Sequence, residues 1–103
     1  MYIYNVTTNV DESIQEEWVE WMQNTHIPSV LNTGKFTEAK ICRVMINEEM
    51  GGTTFSVQYT AESFEAINSF TKNEGIRIEN EAFIKFGEKQ LSFRTNLELI
   101  STH

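Results

Sequence analysis

Few side chains in this chain are equipped for chemistry, and the best equipped lies in one stretch. "WVEWMQNTHIPSVLNTG" runs from Trp18 to Gly34 and holds both tryptophans, the only proline and His26. His26 is the one imidazole inside the sequence, since His103 stands at its end. With an ordinary pKa near 6.5, an imidazole can take or pass a proton at neutral pH. At the end of a helix it can equally favour the negative end of the dipole and cap free carbonyls before Pro28. His26 is therefore the candidate proton-transfer residue, with capping as its structural alternative. Trp18, Trp21 and Met22 fall near it on a helical stripe and are candidates to wall a ligand pocket, together with Tyr59 and Phe93. Indole N–H and phenol O–H groups need partners when buried, so such a pocket carries polar points on an apolar lining. Tyr2 or Tyr4 could add a further hydroxyl. Packing alone would also account for each of these aromatics.

Sharper catalytic signatures are missing. Gly51-Gly52 has no lysine and helix behind it, so it is no phosphate loop. No cysteine and histidine cluster has zinc spacing, and no serine elbow occurs. The five acidic residues between Asp11 and Glu20 lie along a solvated helix face, without the convergence a metal requires. The expectation is no metal and no cofactor; a haem would have only His26 as axial ligand.

The totals narrow the class of partner. A chain of 103 residues with 40% apolar and 12% aromatic content is expected to form one domain, 1–103, around one core. Its net charge of −7, with eight scattered basic residues, repels phosphate backbones, so neither nucleic acid nor an anionic membrane is expected as a partner. No apolar run approaches the roughly 20 residues of a membrane span, and Met1 to Val10 lacks the pattern of a secretion signal. The single Cys42 has no internal disulfide partner and reads as a small hydrophobe. A cytoplasmic location is the expectation.

Periodicity supplies the elements that would hold these residues. Met1 to Val10 alternates and reads as a strand, followed by Asp11 as a helix N-cap. Ile14, Trp18, Trp21, Met22 and Thr25 then share one helical face against Glu16, Glu17 and Glu20, with Pro28 expected to end or kink the helix and Asn32 to Gly34 to close it. Lys40 to Asn47 and Thr53 to Tyr59 read as strands joined by a hairpin loop at Glu48 to Gly52. A helical region begins at Ala61, is interrupted at Asn73 to Gly75, and resumes until Gly87 caps it. Leu91 to Leu97 is the last strand. The order β-α-β-β-α-β, with right-handed crossovers, predicts an α+β ferredoxin-like fold: a four-stranded antiparallel sheet with its helices on one face.

The strand patterns also assign faces. Phe55, Val57, Tyr59, Leu91 and Phe93, with Cys42, Val44 and Ile46, are expected under the helices; the register of the first strand stays open. The opposite face would carry Ser56, Gln58, Ser92, Arg94 and Arg43 among Ile41 and Met45. Such a face either meets water or packs on its copy across a two-fold axis. Large apolar Ile41 and Met45 favour the second arrangement, so Ile41, Arg43, Met45, Gln58 and Arg94 are the expected dimer face. Thr54, Ser56 and Gln58 offer no stacking platform, which separates this chain from RNA-recognition domains of the same element order.

"MYIYNVTTNV", "EEWVEWMQNTHIPSVLNTGKFTEAK", "TTFSVQYT", "FIKFGEK" and "SFRTNLE" together resemble a small domain-of-unknown-function family of the dimeric α/β-barrel superfamily. The resemblance spans nearly the whole chain, and the tryptophan pair followed by His26-Ile27-Pro28 is its most specific part. It implies a homodimer whose two sheets face each other in a barrel, and no particular activity. Two functional classes follow. One is a small-molecule-binding or regulatory module taking an apolar or aromatic ligand. The other is a cofactor-independent enzyme, monooxygenase- or isomerase-like, acting on an aromatic or polyketide-like substrate with His26 moving the proton.

Overall fold

The computed structural model describes residues 1–47, 49 and 51–103. Four strands, β1 (Tyr2–Val10), β2 (Glu38–Arg43), β3 (Thr53–Ala61) and β4 (Gln90–Glu98), form one antiparallel sheet in the order β2-β3-β1-β4. Helical segments join β1 to β2 and β3 to β4 across one face of this sheet, which is the ferredoxin-like arrangement. Between β1 and β2 run α1 (Gln15–Trp21), a widened π turn (Met22–His26) and α2 (Ile27–Leu31). Between β3 and β4 run α3 (Phe64–Lys72) and α4 (Glu74–Phe86).

Alternation in the two central strands sends one set of side chains under the helices. Tyr4, Thr8 and Val10 of β1 and Phe55, Val57, Tyr59 and Ala61 of β3 are buried. They meet Trp18, Met22 and Val30 from the first helical segment and Ile67, Phe70, Ile78 and Phe86 from the second. Asp11 accepts from the Ser13 N–H at 2.9 Å and so caps the start of the first segment. Ser63 caps α3 through the Ala66 N–H at 3.2 Å. The helical region therefore starts later than expected, because Ala61 is the last, fully buried residue of β3.

Pro28 neither ends nor visibly breaks the first segment. Just before it the backbone bonds from the Ile27 N–H to the Met22 carbonyl, five residues back, and Pro28 enters α2 in its first turn, where no N–H is needed. The wider turn has a second consequence. Trp18, Met22, His26 and Val30 are spaced strictly by four, and in a regular α-helix each such step overshoots a turn by about 40°. The π turn absorbs that drift and keeps all four on the sheet side. Thr25, expected on this face, is exposed instead.

Both edge strands differ in phase from the expectation. β2 stops at Arg43 rather than Asn47, and its partners are Ala39 opposite Tyr59, Ile41 opposite Val57 and Arg43 opposite Phe55. Ala39 and Ile41 thus pack toward the helices, the Arg43 guanidinium lies 5.8 Å from the centre of the Phe55 ring, and Cys42 is exposed on the other face. In β4, Arg94 pairs with Val6 and Ser92 with Thr8, so these polar residues lie under the helices. Leu91, Phe93 and Leu97 point to the open face, with Leu91 77% and Phe93 63% exposed. The Glu48 to Gly52 loop lies partly outside the described residues; within it Gly51 and Gly52 have φ of 82° and 77°, where side chains with a Cβ are strained. Gly87 ends α4 at φ 57°. Among the described residues no helix is long and apolar enough to cross a membrane.

Candidate functional site

The inverted phase of β4 creates a polar site beneath the helices. Tyr4 of β1 donates its hydroxyl to Glu79 of α4 at 2.5 Å and accepts from Arg94 Nε of β4 at 3.1 Å. Arg94 Nη2 also pairs with the other Glu79 oxygen at 2.5 Å. The three side chains close a ring whose charges balance. Burial, and then the bond to Glu79, push the Tyr4 phenol well above its ordinary range, so it stays protonated. Burial works against the Arg94 charge, but the Glu79 carboxylate outweighs it and raises its pKa.

This ring borders a cleft of about 50 Å³ between the first helical segment and the sheet. Trp18, Met22 and His26 enter from the helical side, spaced by the π turn; Tyr59 enters from β3. Trp18 is fixed from both sides, with its ring 5.0 Å from that of Phe55 and its Nε1–H donating to Gln90 Oε1 at 2.8 Å. Thr8 and Ser92 share a 2.7 Å hydrogen bond on the cleft wall. The Tyr59 hydroxyl is buried and, among the described residues, has no hydrogen-bond partner. A buried hydroxyl left unbonded costs about 1–3 kcal/mol, which is why such groups are rare away from binding sites.

His26 is half-buried beside this ring. Among the described residues its imidazole takes no hydrogen-bond partner, and its ring stands 5.2 Å from that of Trp21. Burial pushes its pKa down to about 4, against the opposing pull of Glu79 and Glu81. It is therefore neutral at pH 7. The folded pKa lies below the unfolded value near 6.5, so the unfolded chain binds the extra proton, and stability falls as pH drops from about 6.5 through 4. Partial exposure reduces the full linkage to roughly 2 kcal/mol. His26→Gln should remove this share: the urea midpoint of the variant should fall less between pH 7 and pH 4.5 than that of the parent. Equal falls would show that His26 titrates freely.

The expected site residues divide as follows. His26, Trp18, Met22 and Tyr59 share the cleft. Trp21 does not line it; it stands behind His26 with its ring edge-on to Phe86 at 5.5 Å. Phe93 is on the opposite sheet face, because its partner Thr7 is an outward residue of β1. Of the expected dimer face, only Gln58 lies on the open face within a strand, opposite Asn5. Ile41 and Arg43 are on the helix side, Met45 lies beyond the end of β2, and Arg94 belongs to the cleft. Glu79 was not anticipated; it follows Ile78, a core residue of α4, and so stands at the border of the apolar stripe. The open face instead presents Leu91, Phe93 and Ile46 along a groove of about 840 Å³. No group of three or more potential metal ligands occurs among the described residues.

Solved structures of low identity share this arrangement over their whole length. An ethyl tert-butyl ether D (EthD) family protein from Bacillus halodurans is 16% identical with a TM-score of 0.71, covering 97% of this chain and 100% of its own. HapK from Hahella chejuensis is 10% identical with a TM-score of 0.74, covering 100% and 96%. A dimeric ferredoxin-like protein from an uncultured marine organism is 16% identical with a TM-score of 0.70, covering 100% and 98%. At these identities the likeness speaks for the fold alone. Among curated proteins none matches. The match that does reach the level of family runs over residues 1–100, cleft and open face included, and by it the chain belongs to the family described as a domain of unknown function, DUF4286.

Proposed function

We propose that the protein is a cytoplasmic homodimeric small-molecule-binding module. Its ligand enters the cleft between the first helical segment and the sheet, and its partner copy covers the open sheet face. One observation carries the ligand site: the Tyr59 hydroxyl, 2% exposed as a residue, has no hydrogen-bond partner among the described residues where it lines that cleft. A ligand atom bonded to it would restore what folding leaves unsatisfied. The pairing of copies is supported by the apolar open face and by the dimeric ferredoxin-like neighbours.

Tyr59→Phe separates this reading from simple packing. The apoprotein should be as stable as the parent or up to about 1 kcal/mol more so, because only an unbonded hydroxyl is lost. Small molecules retained by the parent in native mass spectrometry should be retained at least about tenfold more weakly, the effect of one lost hydrogen bond in a closed site. A parent dimer that never carries a small molecule, with Tyr59→Phe clearly destabilised, would mean that the hydroxyl is structural.

A second reading, proton transfer, is favoured by His26. Its ring borders the same cleft, takes no hydrogen-bond partner among the described residues, and is neutral at pH 7, the form that can accept a proton. Under that reading His26→Gln abolishes turnover of a bound ligand while leaving its affinity within a few-fold. Equal loss of both would return His26 to a binding role.

A further inference from the structure

The hydrogen-bonding capacity of the cleft is nearly all taken. Trp18 is bonded to Gln90, Thr8 to Ser92, and Tyr4 both to Glu79 and to Arg94. The two charges at its border are spent on each other, with Arg94 Nη2 and Glu79 Oε2 at 2.5 Å. Among the described residues, the Tyr59 hydroxyl and the His26 ring are the groups of this lining that take no hydrogen-bond partner. The remaining lining, including Val6, Met22 and Phe70, is apolar. A space of about 50 Å³ admits a head group the size of roughly three or four water molecules.

We propose that this cleft takes an uncharged polar head group, an amide or a hydroxyl-bearing one, and turns away the carboxylate of the same shape. The inference rests on the cleft being the ligand site. An amide or enol can donate to an imidazole nitrogen and accept from the Tyr59 hydroxyl, so it fills both open positions without bringing a charge. A carboxylate brings a charge into a space where the Arg94 guanidinium is already neutralised by Glu79. It also meets the Glu79 carboxylate on the same border, and both desolvation and like charge oppose it.

Acetamide and acetate differ in little but this charge and test it directly. Each is titrated at equal ionic strength, at pH 7, into the isotope-labelled full chain, following the ring resonances of His26 and Tyr59. Acetamide should shift both in a saturable way at concentrations on the order of 10–100 mM, as a four-atom ligand allows. Acetate should need at least about ten times more. Acetate binding as well as acetamide at the same resonances would overturn the selectivity and leave the site standing. Silence of both rings toward both probes would overturn the ligand site, and the selectivity with it. Glu79→Gln supplies an independent arm. It keeps the side chain's shape and one acceptor oxygen, gives up the other to an amide that only donates, and frees the guanidinium charge, so the preference should invert toward acetate. An unchanged ratio in a folded Glu79→Gln protein would show that charge balance is not what selects.

Discussion

Phe93→Glu should release single chains of 12.0 kDa from an assembly of twice that mass. Phe93 stands in the middle of β4 on the side away from the helices, flanked on that face by Leu91 and toward the strand's end by Leu97. These residues are exposed in one chain, at 77% for Leu91, 63% for Phe93 and 40% for Leu97, and so form the row a second sheet would cover. In a two-fold interface one substitution is present twice. Burying an unpaired carboxylate costs at least ~2 kcal/mol, so two cost about 4 kcal/mol, or nearly three orders of magnitude in the dissociation constant. The fold itself should survive, because Phe93 takes no part in the core beneath the helices. Sedimentation equilibrium measures the mass, and Phe83→Glu is the control. Phe83 is 60% exposed on α4, on the helical layer, so the same charge there should leave assembly intact. If Phe83→Glu dissociates the protein and Phe93→Glu does not, the copies meet through their helices and the barrel arrangement fails.

That prediction rests on a face the sequence pattern assigned to the wrong side. The order of elements, their lengths to within a few residues and the buried set of the central strand β3 were all legible, because an alternation of Phe55, Val57 and Tyr59 against Thr54, Ser56 and Gln58 has one interpretation next to an amphipathic helix. The edge strands were not. In β4 the assumption that Leu91 and Phe93 must face the helices ignored a second apolar surface, and it overlooked that Ser92, Arg94 and Gln90 find polar partners in Thr8, Glu79 and Trp18. A one-residue change of phase sends every side chain to the other face, so this error moved Arg94 away from the cleft and Phe93 into it.

The candidate site was half legible for the same reason. Trp18, Met22, His26 and Tyr59 come from elements whose burial could be read from their periods. The ring of Tyr4, Glu79 and Arg94 depends on register between β1 and β4 and on the rotation of α4, and neither leaves a local signal. Pro28 misled in a specific way. Read as a helix terminator, it leaves His26 at a frayed end, free to cap carbonyls. Read with the π turn before it, the helix passes through, and the imidazole is held against the sheet side.

Trp18 should show the largest effect on stability, because fold and site both pass through it. It is 1% exposed, packs its ring on Phe55 at 5.0 Å, and bonds Gln90. Trp18→Ala removes the largest side chain in the core and leaves the Gln90 carboxamide without its donor. Truncations of this kind cost about 3–5 kcal/mol, and domains of this size hold only about 5–15 kcal/mol in total. With a urea dependence of about 1–3 kcal/mol per molar, the midpoint should fall by roughly 2 M. The loss has a shape as well as a size. The vacated space opens onto the cleft, between the Phe55 ring and Met22 on one side and the Gln90 carboxamide on the other, and should accept an aromatic guest that carries a donor N–H for Gln90. Indole added at ten times its dissociation constant should then return about 1.4 kcal/mol, through mass action on the folded state. The parent chain, whose cleft holds only about 50 Å³, should gain nothing from indole. A destabilisation below about 1 kcal/mol would contradict the burial of Trp18. A large loss without indole rescue would mean that the helix collapses onto the sheet and that the cleft has no shape of its own once Trp18 is gone.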